Sequence, residues 1–297
     1  MELRVLQYFL AVTREQSISG AAKALHLSQP TLSRQLREME EELGKQLIVR
    51  SNRRITLTDE GMILRKRAEE IMELVRKTEN EITLSNDYIA GDITIGAGET
   101  IGVRFLAKAV HTLQQDFPDI HLHTISGDSV NVLENLDRGL IDFGLVFGEV
   151  DTTKYHMLKI PYEDIWGVLM RRDSDLAKKE FITPEDLWNQ PLITSRQQSS
   201  RSSLMKWLGK NRDELNIVGT YNLLFNGSLM VEEGMGYALS FDKIINISGD
   251  SNLCFRPLKP ELSEGMHIIW KKYQIFPKAA EKFLLQMQQI TNQSLSS

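Results

Sequence analysis

The stretch from Ser17 to Glu42 constrains this chain more than any other. A small-residue segment, Gly20-Ala21-Ala22 with Ala24 and Leu25, runs into a break ahead of Ser28 and Pro30. Beyond the break Leu32, Leu36, Met39 and Leu43 recur at helical spacing, so a second helix starts there. Ser28 suits its N-cap, because a hydroxyl accepts an amide hydrogen that has no intrahelical partner. Pro30 is tolerated in a first turn for the same reason. Alanines allow the two helices to approach closely. The polar face of the second helix carries Gln29, Thr31, Ser33, Arg34 and Arg37, side chains that bond base edges and phosphates. The pattern predicts a helix-turn-helix whose partner is double-stranded DNA.

Charge supports that partner for one end only. The chain carries a net −5, yet residues 1–58 hold nine Lys/Arg and six Asp/Glu, a net +3, which leaves −8 for residues 59–297. A basic head on an acidic body confines phosphate attraction to the head. So mild a charge predicts weak binding by one copy and useful binding by two or more. Cys254 is the lone cysteine, which excludes an intrachain disulfide. The opening Met1-Glu2-Leu3-Arg4 is unlike a signal peptide and no apolar run has transmembrane length, so a cytoplasmic protein with no membrane partner is expected.

After the second helix, Leu47, Val49, Ile55 and Leu57 alternate around Ser51-Asn52-Arg53-Arg54, predicting a short hairpin, or wing, with a basic tip. Arg50, Arg53 and Arg54 are placed to reach phosphates or the minor groove. Thr58 can cap a long helix continuing to Ile89. Along it Leu64, Ala68, Ile71, Val75, Thr78, Ile82, Ser85 and Ile89 recur with alternating spacings of four and three. That is a coiled-coil seam, most simply buried against a second copy.

These residues carry a resemblance. Leu3, Phe9, Val12, Ser19, Ala21-Ala22, Leu27-Ser28-Gln29-Pro30, Ser33, Leu36, Glu40, Leu43-Gly44, Leu47, Arg50, Leu57-Thr58 and Gly61 make the opening residues resemble the DNA-binding domain of LysR-type transcriptional regulators. The resemblance implies an N-terminal winged helix-turn-helix at 1–58 and a dimerising linker helix at 59–89. It also implies an α/β effector domain resembling periplasmic binding proteins, in two subdomains: 91–162 with 266–297, and 163–265. It further implies binding to promoter DNA as a homodimer or homotetramer, and a small-molecule effector in the cleft between subdomains. Base edges and adjacent phosphates fall to Ser28, Gln29, Pro30, Thr31, Ser33 and Arg34, with Arg37 on the same face and Arg50 and Arg53 on the DNA backbone.

Past Gly91 the residues alternate between strand-like and helix-like segments, predicting open, mostly parallel sheets. Ligands in such sheets sit outside the carboxyl ends of strands. Gly96-Ala97-Gly98-Glu99-Thr100-Ile101-Gly102 is one such end. Its glycines are wrongly spaced for a dinucleotide fingerprint, and no cofactor is expected. In the resembling family this turn binds effector, which implicates Glu99, Thr100 and Ile101. The same placement nominates Ser126, Asp128 and Ser129, then Thr194 and Ser195, then Asn222 and Phe225. A carboxylate at Glu99 repels an anion unless it turns away, so it hints at an effector with a positive or hydrogen-donating group. No G-x-S-x-G elbow surrounds the serines near Ser195, and His121 and His123 lack a recognisable third metal ligand. An enzyme is not expected. A DNA-binding protein without an effector, whose α/β body serves only assembly, remains the alternative.

Overall fold

The computed structural model describes residues 1–50, 54–83, 89–196 and 202–295, and the chain separates into two compact units, Met1–Ser85 and Asn86–Ser297. The first unit begins with α1 (Leu3–Glu15), α2 (Ile18–Ala24) and α3 (Gln29–Leu43). The hydroxyl of Ser17 accepts the Gly20 amide at 3.2 Å to start α2, and that of Ser28 accepts the Thr31 amide at 3.2 Å to start α3. Phe9, Val12, Ala21, Leu32 and Leu36 are fully buried where the three helices meet. Helix α3 stops at Gly44, whose φ of 62° is left-handed backbone that a Cβ would strain.

The wing follows as β1 (Ile48–Arg50) and β2 (Ile55–Leu57), antiparallel with Ile48 opposite Leu57. Glu40 of α3 ties it down, its carboxylate accepting the amides of Leu47 at 2.8 Å and Ile48 at 3.0 Å. Then comes α4 (Asp59–Thr83). Thr58 caps it, donating to the Gln46 carbonyl at 2.8 Å and accepting the Gly61 amide at 3.0 Å. A Cβ on Gly61 would lie 2.1 Å from the Leu47 carbonyl oxygen, so only glycine lets α4 cross the wing this closely. Leu64 packs against the core of the head and Ala68 is buried, whereas Ile71, Leu74, Val75, Thr78 and Ile82 line an open groove farther along. The seam does not reach Ile89 as one helix. Ser85 lies outside the described residues, and Ile89 has left the helix to pack against the core of the second unit.

That unit runs β3 (Gly91–Ala97), α5 (Val103–Asp116), β4 (Ile120–Ser126), α6 (Ser129–Asp137), β5 (Phe143–Phe147) and β6 (Tyr155–Arg171). It continues through α7 (Pro184–Leu187), β7 (Leu192–Ser195), α8 (Ser203–Leu208), β8 (Ile217–Tyr221), α9 (Leu224–Glu232), β9 (Tyr237–Phe241), β10 (Leu253–Pro257), β11 (Ser263–Lys271) and α10 (Lys278–Leu295). Strand order is β4-β3-β5-β11-β6-β9-β7-β8, with β10 also paired to β6. The expectation of mostly parallel sheets is corrected. The flanking pairs β3/β4, β3/β5, β7/β8 and β7/β9 are parallel. The central pairs of β6 and β11 are antiparallel. Two long strands returning past one another need no helical crossover.

Two cores result. One gathers Ile93, Ile95, Leu106, Phe143 and Phe283. The other gathers Val168, Met170, Leu192, Leu204 and Leu239. β6 pairs with β11 through the first lobe (Tyr155 opposite Lys271) and with β9 through the second (Trp166 opposite Phe241). A cleft opens where β6 and β11 pass from one lobe to the other. Among the described residues no helix is long and apolar enough to cross a membrane.

Candidate functional site

Each unit carries its own candidate surface. On the first, Gln29 and Pro30 are exposed in the opening turn of α3, and Arg34 and Arg37 are exposed farther along the helix. Arg34 pairs only loosely with Glu38, at 3.7 Å, so its guanidinium is available at little cost. Ser28 and Thr31 share a hydrogen bond at 2.7 Å while capping the helix, and Ser33 is half-buried. Arg50 ends β1, but its side chain lies outside the described residues, as does all of Arg53. Arg54 is exposed at the start of the second wing strand. The arrangement presents a helix N-terminus with hydroxyl, amide and guanidinium groups beside a wing, the chemistry that reads grooves and phosphates.

The cleft of the second unit holds a cavity of about 950 Å³. Of the ten residues nominated from the sequence, Glu99, Ser129, Ser195 and Asn222 line it. The others do not, and most have structural work. The Thr100 hydroxyl donates to the Asp164 carboxylate and accepts the Gly102 amide at 2.9 Å. Asp128 caps α6 through the Asn131 amide at 2.8 Å, and Thr194 is fully buried. Ile101 and Ser126 stand off the lining, and Phe225 is 61% exposed. Gly102, which tempts a phosphate-loop reading, is needed for packing: a Cβ there would lie 2.0 Å from the Met266 sulfur.

Sequence reasoning missed the aromatic part of the lining. Trp166 meets Phe241 at a tilt of 47° with centroids 4.2 Å apart, and Phe147 meets Phe241 at 5.0 Å. Trp207 joins them at the rim, its indole N–H bonded to the Pro260 carbonyl at 2.7 Å. Polar atoms come from Ser202, Ser203, Lys206, Glu149 and Glu264. Across the cleft, Glu99 accepts the Leu224 amide, Glu264 accepts the Ser203 hydroxyl, and Arg196 lies 3.9 Å from Asp128. Tyr221 donates to the Leu239 carbonyl at 2.7 Å, and burial, with the nearby Glu99 charge, pushes its phenol well above its usual range. Burial likewise pushes Asp164, at the hinge, up to about 6. Among the described residues no group of three metal-ligating side chains occurs.

Comparison with known proteins finds a family model for each unit. Residues 3–62 match the bacterial regulatory helix-turn-helix protein family of lysR type, and residues 86–291 match the LysR substrate binding domain. The chain belongs to the LysR family. An Escherichia coli relative, the uncharacterized HTH-type transcriptional regulator YbhD, is 27% identical over 95% of this chain and 89% of its own length. The Bacillus subtilis regulator BsdA is 32% identical over 66% of this chain and 67% of its own. For the probable RuBisCO transcriptional regulator of Phaeodactylum tricornutum, 29% identical, the match spans 64% of its length. Among solved structures, full-length CbnR complexed with its target DNA superposes with a TM-score of 0.74 at 18% identity, over 98% of this chain and 100% of that one. Membership in the LysR family assigns transcription regulation through a DNA-binding first unit and small-molecule binding to the second.

Proposed function

We propose that two copies of this LysR-family chain pair along α4 and set the two α3 helices in major grooves of a two-fold promoter site, with a small molecule in the cleft controlling their spacing. The observation that carries this reading is the exposed first turn of α3, on a helix anchored by a buried core and by Glu40, whose carboxylate accepts two amides of the wing. Ser28, Gln29, Pro30, Thr31, Ser33 and Arg34 then face base edges and adjacent phosphates, with Arg37, Arg50 and Arg53 on the DNA backbone. Phosphate neutralisation supplies affinity, and each good base contact adds about 1–3 kcal/mol of discrimination.

The open apolar groove from Ile71 to Ile82 supports pairing through the linker helix, because a helix does not leave such a stripe to water without cost. Pairs of dimers would give a tetramer. The functional division is 1–58, 59–89, 91–162 with 266–297, and 163–265. An effector shifts the lobes only by binding one arrangement better than the other. The cavity favours this over a body that serves assembly alone, since a purely structural interface has no need of an aromatic-lined void. The role is regulatory rather than catalytic, and the setting cytoplasmic. Selection of bound duplexes from a random library tests it: a two-fold consensus with half-sites spaced by whole helical turns is expected, and an asymmetric or absent consensus contradicts it.

A further inference from the structure

The helix N-termini around the cleft are already met by oxygens of this chain. Thr100 takes the Gly102 amide at the start of α5, Asp128 the Asn131 amide of α6, and Glu99 the Leu224 amide of α9. Two of these three acceptors are carboxylates, so the positive ends of α6 and α9 are compensated before any ligand arrives. The cavity wall itself then carries, among the described residues, three carboxylates (Glu99, Glu149 and Glu264) against one ammonium, Lys206. An anionic ligand would bring like charge into a partly desolvated space, which costs affinity.

The apolar wall favours the opposite sign. Trp166, Phe241 and Phe147 form one continuous ring cluster, and the faces of such rings attract cations. Trp166 is only 5% exposed, and its indole N–H has no acceptor among the described residues. The volume, about 950 Å³, takes a ring-sized organic molecule with room for the lobes to close on it.

We infer that the effector is an organic cation: a protonated or quaternary amine on an apolar, ring-sized body. The nitrogen sits among the Glu149 and Glu264 carboxylates, and the body lies against Trp166, Phe241 and Phe147. This rests on the cleft being the effector site. The roles differ: Glu99 seals α9 against anions, while Glu149, exposed at the rim, meets the incoming charge.

Titration calorimetry on the full-length protein with phenethylamine and its near-isosteric acid, hydrocinnamate, tests the inference. Three forms are compared: the natural chain, a combined Glu149→Gln/Glu264→Gln variant, and Ser195→Trp, which fills the cavity. Circular dichroism checks that each is folded. The amine is expected to bind at least about tenfold more tightly than the acid. The paired glutamines should weaken the amine by about tenfold or more, and Ser195→Trp should abolish its binding. Acid binding as tightly as amine, and lost in Ser195→Trp, overturns the cationic effector while leaving the cleft as the site. No heat from the amine up to about 10 mM also overturns it. Binding that survives Ser195→Trp undiminished removes the cleft reading itself, a separate failure.

Discussion

The Glu99 carboxylate, at the end of β3 in one lobe, accepts the backbone amide of Leu224 at the first turn of α9 in the other. One side chain therefore bridges the cleft and neutralises a helix dipole at the same time. Glu99→Ala leaves that amide without its acceptor and should cost about 1–2 kcal/mol, lowering the unfolding temperature of the α/β unit by a few degrees. Glu99→Gln, which keeps an acceptor but no charge, should cost less. Scanning calorimetry separates the two, and equal transitions in all three forms would show that the bridge contributes nothing.

Asp164 makes stability depend on pH in an uncommon direction. Burial raises its carboxyl from the ordinary 3.8 to about 6, against the opposing pull of the Thr100 hydroxyl and Lys243. Between those values the folded chain holds a proton that the unfolded chain has lost, so stability falls as pH rises through the window. Above about 6 the cost is complete, on the order of 2–3 kcal/mol. Asp164→Asn is expected to unfold at higher urea than the natural chain at neutral pH and to flatten the slope from pH 4 to 6. Denaturant titrations at both ends of that range give the comparison, and parallel curves would contradict it.

Arg34 is exposed and only weakly paired, so its removal should not disturb the fold. Arg34→Ala is expected to weaken specific DNA binding by about 10- to 100-fold, about 1–3 kcal/mol, with sedimentation unchanged. Gel-shift titration against the selected site provides the number. Unaltered affinity would remove α3 from the groove.

Val75 lies in the open groove of α4 with Ile71 and Ile82. Under the proposed pairing along α4 a charge placed there would face the partner helix, so Val75→Glu should shift sedimentation toward smaller species and weaken DNA binding in step. A variant that stays assembled would place the interface elsewhere.

Local chemistry made the first unit legible. Caps at Ser28 and Thr58, the helical spacing of Leu32, Leu36 and Met39, and the alternation around the wing all act within a few residues. The second unit was legible only in its flanking strands and helices. The 155–164 half of β6 hides because Pro161, Glu163 and Asp164 interrupt it, yet antiparallel pairing with β11, about 100 residues away, holds it together. Gly219 similarly disguises β8. The aromatic lining was unreadable for a related reason. Trp166 and Phe241 look like core residues in sequence, and only the pairing of β6 with β9 brings their rings together in the cleft. The helical spacing through Ile89 misled because a seam pattern does not say which body its last residue joins.

The most direct test of the account is footprinting of the full-length protein on the DNA upstream of its own gene, with nonspecific competitor and at two salt concentrations, beside the Arg34→Ala variant. The account predicts a protected two-fold site that survives competitor in the natural chain and is lost in the variant. Protection that is absent at both salts, or identical in the two proteins, would contradict it.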